Sequence, residues 1–318
     1  KSPDGMRLTA MSRGGRLSMK AAFVVDATGK RAAFARGQGA RKVLSDLLLG
    51  AFVFFDLDEA RPLAETYTLV EAWEEGWWYS APLPGSKVVV ACMSDADMMK
   101  RAGLSDPSEW LASLARTRHT AKRVAHAKPA GRPSVHVAYS HRLDRVTGDR
   151  WLASGDAASA FDPLSSQGIF KALRSGVFAS YAILDYFKGT RSGLDKYEEI
   201  VAREFEDYLE TWMDFYGRER RWERSEFWRR RQGRITLDPH CLLRARVPSG
   251  HLERLRMQMP VDDLKTLHEL CGTPRPAHEV VSAFRNQKGE ATTDRRIILA
   301  LQYLIEQRVV ECEEGSRS

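Results

Sequence analysis

The residues best suited to chemistry lie in one stretch, residues 155–169, which reads GDAASAFDPLSSQGI. An apolar strand is predicted to deliver Asp156 to a tight Gly-Asp turn, and a helix is predicted to begin at about Gly168. The first N–H groups of a helix lack intrahelical partners and the helix dipole is positive there, so this helix start favours an anion. Asp156 is a strong acceptor for sugar or ribitol hydroxyls. The alternative is a capped helix that binds nothing.

A second candidate turn lies earlier in the chain, where residues 24–29 read VVDATG. The pattern predicts a buried strand that ends in a turn with Gly29 at positive φ. Small residues in such a turn allow backbone to approach a ligand closely.

These two motifs, in this order, resemble two motifs of the group that contains flavoprotein monooxygenases, geranylgeranyl reductases and tryptophan halogenases. The resemblance covers about residues 26–188 and implies FAD as the cofactor. It implies that Asp156 holds the ribitol, that Pro163 lies beside the isoalloxazine, and that residues 167–169 lie at its N1/O2 edge. The implied cofactor-binding residues are Asp26, Thr28, Gly29, Gly155, Asp156, Pro163, Gln167, Gly168 and Ile169.

A third element, residues 75–82 (EGWWYSAP), is similar to the Gly-Trp-x-Trp-x-Ile-Pro element of tryptophan halogenases. It departs from that element at two positions: this chain has Tyr79 in place of the second tryptophan and Ala81 in place of the isoleucine. The departure weakens the halogenase interpretation. The alternative is that these aromatic residues fill one face of a sheet.

The resemblance implies a flavin-dependent monooxygenase that acts through a flavin C4a-hydroperoxide on an aromatic or large substrate, including a peptide- or carrier-bound one. Flavoproteins that mature tryptophan-derived quinone cofactors are one specific candidate. A flavin-dependent halogenase of the same fold is the first alternative, and a non-catalytic binding module is the second. The electron source would be a flavin reductase or NAD(P)H.

The expected fold is a mixed α/β flavoprotein fold with an antiparallel-sheet substrate domain and a helical C-terminal appendage. No GxGxxG motif is present and only about 25 residues precede the VVDATG turn, so we expect a fragment that lacks its N-terminal βαβ unit. The expected division is 1–49 and 141–190 for FAD binding, 50–140 for the substrate domain, 191–249 for a long helical segment, and 250–318 for a small winged-helix-like unit.

The aromatic strands of residues 50–93 predict one wall of a substrate site, since alternate residues of a strand share a face. The candidate wall residues are Phe52, Phe54, Trp73 and Trp77. His136 and His141 are the histidines nearest the Gly-Asp motif and could transfer protons, although a structural role is the usual one for a lone strand histidine. No catalytic acid or base is assigned.

Composition adds few constraints on function. The chain has 318 residues and 49 Lys+Arg against 42 Asp+Glu, a net charge of +7 that suits an anionic cofactor as well as a macromolecular partner. Its four cysteines lie far apart without metal-like spacing, so we expect reduced thiols, no metal site and a cytoplasmic protein. No membrane segment and no nucleic-acid partner are expected. Residues 218–234 hold eight arginines and three glutamates, which indicates a solvated helix face or a docking surface for an acidic protein.

Overall fold

The computed structural model describes residues 5–12, 14–58, 63, 66–233, 235–255, 259–289 and 292–313. The strands are β1 Met6–Ser12, β2 Gly15–Ala21, β3 Val24–Asp26, β4 Lys42–Leu44, β5 Leu48–Asp56, β6 Leu69–Trp73, β7 Gly76–Leu83, β8 Lys87–Asp95, β9 Lys128–Pro129, β10 Ser134–Val137, β11 His141–Leu143, β12 Thr147–Gly148, β13 Trp151–Ala153, β14 Ser159–Ala160, β15 Leu242–Ala245, β16 Arg275–Pro276 and β17 Val310–Glu313. The helices are α1 Ala33–Gly37, α2 Ala96–Arg101, α3 Pro107–Ala115, α4 Thr120–Arg123, α5 Gly168–Phe187, α6 Ser192–Tyr216, α7 Glu226–Arg231, α8 Val261–Leu270, α9 Ala277–Lys288 and α10 Asp294–Glu306.

The mixed α/β class predicted from the sequence is confirmed. Strands β1 and β2 form an antiparallel hairpin, and β3 follows it. The helix expected after the Gly-Asp loop is α5, which ends at Phe187. Asp106 caps α3 by accepting from the backbone N–H groups of Ser108 and Glu109.

The chain divides into two compact units. Unit 1 comprises residues 1–45, 141–209 and 235–318, and unit 2 comprises residues 46–140 and 210–234. Helix α6 begins in unit 1, and its residues from Glu210 onward belong to unit 2.

Unit 1 contains a small sheet of order β12–β13–β3, in which β3 and β13 run parallel. Helix α5 packs on the same core through its small residues Ala179 and Ala182. The opposite side of α5 carries apolar side chains at helical spacing that remain exposed. These are Ile169, Leu173, Val177, Tyr181 and Leu184, with exposed fractions between 52% and 81%.

The C-terminal part of unit 1 has its own core around α8, α9 and α10. Its sheet has the order β16–β15–β17. The central strand β15 ends at Ala245, before residue 250, the expected start of the small C-terminal unit. In a winged-helix comparison α10 would be the recognition helix, but its Arg296 is buried and pairs with Glu206 of α6 at 3.3 Å. This arginine therefore stabilises the unit internally.

Unit 2 is built on an antiparallel sheet of order β10–β5–β8–β7–β6, with β9 also paired to β5. One face of this sheet is covered by α3, where Trp110 packs against Phe55 and Trp78. Trp110 also donates its ring N–H to the carbonyl of Ala51 at 3.0 Å. Along β5 the residues Ala51, Val53 and Phe55 belong to this core, while Phe52 and Phe54 face outward. This alternation has the period of two expected for a strand.

A buried charge network fixes α7 to the end of β8. Arg231 is fully buried, stacks on Phe227 at 3.8 Å, and donates to the Asp95 carboxylate at 3.0 Å. Arg230 donates to Asp95 and to Asp97, at 3.0 Å and 2.9 Å. Burial alone would raise the pKa of Asp95, but the charge and hydrogen bonds of Arg231, together with Arg230, hold it below its usual range. Two of the eight arginines of residues 218–234 are thus structural.

The expectation of four reduced cysteines was wrong for one pair. Cys241 and Cys312 form a disulfide that ties the start of β15 to β17, with their Cα atoms 5.8 Å apart. The sequence did not predict it because 71 residues separate the two positions and only antiparallel pairing of β15 with β17 brings them together. Cys92 and Cys271 are free and buried.

We expect Arg231→Met to lower the free energy of unfolding by about 3–5 kcal/mol, because it leaves the buried Asp95 carboxylate without its main counter-charge. Urea unfolding followed by tryptophan fluorescence measures the effect. The matched control is Arg229→Met on the same helix, which removes an exposed side chain and should stay within about 0.5 kcal/mol of the parent. Equal losses in both variants would contradict a stabilising role for the buried pair.

Candidate functional site

Two turns predicted from separate motifs lie side by side in unit 1. Strands β3 and β13 are parallel neighbours, with Ala153 paired to Asp26, and the Ser154 N–H donates to the Asp26 carbonyl at 2.9 Å. The carboxyl ends of parallel strands meet at one sheet edge. The short 3-10 turns that follow them, Gly29–Arg31 and Gly155–Ala157, consequently pack against each other.

The first turn is held by the side chain of Asp26. Its buried carboxylate accepts from the N–H of Thr28 at 2.9 Å, the hydroxyl of Thr28 at 2.6 Å and the N–H of Ala35 at 2.8 Å. The hydroxyl of Thr28 in turn accepts from the N–H of Ala33 at 2.7 Å. Asp26 therefore shapes the turn and the start of α1, while Thr28 is exposed and Gly29, at φ 65°, has open space around it.

The second turn requires a glycine at position 155. Gly155 has φ 62°, and a side chain there would also meet Ala172 of α5 at 3.4 Å. Helix α5 holds the turn in place, because the Gly155 N–H donates to the hydroxyl of Ser175 on that helix at 2.9 Å. Ser175 is 2.8 Å from the Tyr197 hydroxyl, which donates to the Ala153 carbonyl at 2.8 Å.

Asp156 is half-buried at the outer side of the second turn and forms an ion pair with Lys171 of α5 at 3.2 Å. Sequence reasoning missed Lys171, Ser175 and Tyr197. Lys171 gave one usable signal, since a cation in the first turns of a helix opposes the helix dipole and needs a specific partner.

The loop between the Gly-Asp turn and α5 presents its residues outward. Asp162 is buried and caps the loop by accepting from the Leu164 N–H at 2.8 Å, while its own N–H donates to the Tyr208 hydroxyl at 2.8 Å. The residues implied at the flavin ring are all exposed, namely Pro163, Gln167, Gly168 and Ile169.

Helix α5 has no side-chain cap at its N-terminus. Its first N–H groups and the positive end of its dipole are therefore available to an anionic or electron-rich ligand edge. A nucleotide such as FAD combines such an edge with hydroxyls for Asp156, so the donor and acceptor set fits the group. Within the described ranges no cluster of three His, Cys, Asp or Glu side chains could hold a metal ion.

The predicted wall residues of unit 2 do not share one surface. Phe52 and Phe54 lie on the face of β5 opposite the core, and Phe54 is 48% exposed. Trp77 lies on the same face of the sheet, but it is buried and donates to the Tyr216 hydroxyl at 2.9 Å. Trp73 was wrongly placed in the wall, because its strand register turns it to the core, where it packs against Trp78.

The two candidate histidines differ in environment. His136 is exposed on β10, 2.7 Å from the Ser134 hydroxyl and with its ring 5.7 Å from that of Phe52. His141 is buried on β11, and its pKa is lowered to about 3 by burial and then by the charges of Lys42, Lys30 and Lys171. His141 is therefore neutral near pH 7 and unsuited to act as a general acid there.

The family model described as tryptophan halogenase matches residues 5–248. A curated relative, the FAD-dependent oxidoreductase LodB of Marinomonas mediterranea, is 33% identical over 66% of this chain and 56% of its own length. The 1H-pyrrole-2-carbonyl-[peptidyl-carrier protein] chlorinase of Pseudomonas fluorescens is 24% identical over 67% of this chain and 49% of its own length. The chain thus spans about half the length of these curated relatives.

Solved structures show the same fold. The myxobacterial chondrochloren halogenase CndH superposes with a TM-score of 0.63 at 20% identity, over 73% of this chain and 55% of that one. The flavin-dependent halogenase CmlS superposes with a TM-score of 0.61 at 17% identity, over 98% of this chain and 72% of that one.

No helix among the described residues is long and apolar enough to cross a membrane.

We expect Asp26→Asn to destabilise the protein by about 1–3 kcal/mol, because either orientation of the amide turns an N–H donor toward one of the donors that the carboxylate now accepts. Thermal unfolding measures the change. Asp195→Asn is the control, since it removes an exposed ion pair with Arg191 and an exposed charge in the first turn of α6, and it should cost less than about 1 kcal/mol. An unchanged midpoint in Asp26→Asn would contradict the role of this carboxylate in holding the turn.

Proposed function

The chain belongs to the tryptophan halogenase family of FAD-dependent enzymes, and we propose that its paired turns in unit 1 bind FAD in a flavin-dependent monooxygenase. The observation that carries the proposal is the parallel pairing of β3 with β13, because it brings both family motifs to one sheet edge beside the start of α5. The substrate proposed is aromatic or large, and includes one attached to a peptide or a carrier protein.

Each accessible or half-buried residue of the site has a proposed task. Asp156 accepts hydrogen bonds from ribitol hydroxyls, and Thr28 and Gly29 let the first turn approach the cofactor closely. Pro163 lies beside the isoalloxazine, while Gln167, Gly168 and Ile169 at the start of α5 face its N1/O2 edge. Bound FAD would supply the oxygen-activating chemistry, and the protein would position it and exclude water.

Monooxygenation is preferred to halogenation on two grounds. The oxidoreductase LodB is 33% identical to this chain, against 24% for the chlorinase. In the Gly76–Leu83 strand, Trp77 and Trp78 are both buried, and Trp78 belongs to the core, which supports the packing interpretation of the halogenase-like element. Halogenation is the second candidate, favoured by the family model and by the chlorinase.

The outward face of the unit 2 sheet supports a large or aromatic substrate. Phe52, Phe54 and His136 share this face and are accessible. The chlorinase relative acts on a pyrrole held by a peptidyl carrier protein, which makes a carrier-bound substrate one specific possibility for this chain. Four of the exposed arginines of residues 218–234 would give an acidic carrier or peptide partner a surface of opposite charge, namely Arg218, Arg220, Arg224 and Arg229.

The electron source and location are also proposals. We propose a separate flavin reductase or NAD(P)H as the source of reducing equivalents, as the family resemblance implies. We also propose a cytoplasmic location, and the two free buried thiols, Cys92 and Cys271, support it. The Cys241–Cys312 disulfide removes the support that the other two cysteines gave it.

We expect Asp156→Ala to weaken FAD binding sharply, because the ribitol loses its charged acceptor. Flavin absorbance and fluorescence titrations should use this chain and a longer form of the protein, each with Asp195→Ala as a matched exposed-carboxylate control. Loss of binding in Asp156→Ala alone supports the site. Equal FAD content in both variants would remove Asp156 from it, and no binding by any form would favour the binding-module alternative.

For the reaction itself, we expect a hydroxylated product and oxygen uptake when the FAD-loaded protein receives reduced flavin, oxygen and chloride. Tryptophan-containing peptides and a pyrrole-2-carbonyl-loaded carrier protein are the first substrates to try, with products identified by mass spectrometry. A chlorinated product would establish the halogenase alternative. Repeating the assay without chloride separates the two, since only halogenation depends on the halide.

A further inference from the structure

Lys171 occupies an unusual place in the fold. It is the fourth residue of α5 and only 3% exposed, and its ammonium group lies 3.2 Å from the Asp156 carboxylate. The same group donates to the carbonyl of Ser159 and lies 4.7 Å from the centre of the Phe161 ring. All three contacts hold the ammonium group under the Gly-Asp turn.

Stability alone does not account for a lysine at this position. Burial lowers the pKa of Lys171, while the charge and hydrogen bond of Asp156 raise it. The positive end of the α5 dipole adds a further unfavourable interaction. A buried ion pair is on average no more stabilising than well-packed apolar side chains of similar volume. Apolar side chains at both positions of the pair would therefore serve folding as well.

The charge around the turns points to an anionic ligand. Lys30, in the first turn, and Lys42, on β4, act on the same region, since both contribute with Lys171 to the lowered pKa of His141. Three lysine charges thus act on this region, and the ammonium group of Lys171 pairs with Asp156. A dinucleotide carries a diphosphate, and an unneutralised Asp156 beside it would repel that group.

We propose that Lys171 is a positioning residue that orients and neutralises Asp156, so that this carboxylate accepts the ribitol hydroxyls of FAD without repelling the diphosphate. The proposal rests on the assignment of Asp156 to the FAD site made above. Lys171 acts through Asp156 and is not a proton donor in the reaction.

The test is an FAD titration of four proteins in the form that binds FAD: the parent, Lys171→Met, Asp156→Asn and the double variant. We expect Lys171→Met to raise the FAD Kd on the order of tenfold. In the Asp156→Asn background the same change should have little effect, because no carboxylate charge remains to be neutralised. Lys188→Met, at the C-cap of the same helix and with a 72% exposed side chain, is the control and should leave the Kd unchanged.

Folding and ligand effects are separated by the melting temperature of the FAD-free proteins. Lys171→Gln keeps a donor for the Ser159 carbonyl without the charge, and it replaces Lys171→Met if that variant does not fold. Lys171→Arg, which retains the charge, should recover most of the affinity. The lost affinity should also depend on salt, since screening weakens repulsion between Asp156 and the diphosphate.

The possible failures are distinct. If Asp156→Asn binds FAD like the parent, the site assignment and the role of Lys171 both fall. If Asp156→Asn loses affinity but Lys171→Met and Lys171→Gln do not, only the role of Lys171 falls. Equal losses from Lys171→Met in both backgrounds, with a matching drop in melting temperature, would show that Lys171 supports folding alone.

Discussion

The parallel pairing of β3 with β13 brings together the two turns of unit 1 that carry candidate site residues. The register sets Ala153 opposite Asp26, so both strands end at the same level and their turns meet. Asp26 then fixes the first turn from inside, and Ser175 with Tyr197 fixes the second. Shifting this register by one residue would exchange buried and outward side chains along each strand and separate the two turns.

The sequence predicted the two turns and the start of α5 because these features are local, but it did not predict the pairing of β3 with β13. A strand, a Gly-Asp turn and a helix start can be recognised from adjacent residues, and so can the Asp-Ala-Thr-Gly turn. Lys171, Ser175 and Tyr197 were missed because their contacts depend on how α5 and α6 pack under the turn, which no local pattern contains. Asp26 was predicted at the site, but its engagement by Thr28 and Ala35 appears only when α1 folds back onto β3.

In unit 2 the sequence predicted the elements better than the positions of their side chains. Aromatic strands were predicted within residues 50–93, yet the face that each aromatic residue occupies was not. Trp73 and Phe54 are equally aromatic in sequence, but register with β7 turns Trp73 to the core while Phe54 stays exposed. The arginine-rich segment likewise divides by position, because Arg231 faces Asp95 in the interior and Arg229, two residues earlier, faces solvent. Composition alone does not tell which arginines of such a segment are buried. Their positions around the helix decide it.

The uncovered apolar side of α5 has a practical consequence. Isolated exposed apolar residues are common on soluble proteins, but a contiguous row five residues long is not. Ile169, Leu173, Val177, Tyr181 and Leu184 form such a row on unit 1. A preparation of these 318 residues alone would behave as a surface-active protein. It would bind hydrophobic dyes while fully folded, adsorb to columns and plastic, and precipitate at concentrations that a fully covered enzyme tolerates. Dye binding would then be a poor indicator of misfolding for this protein.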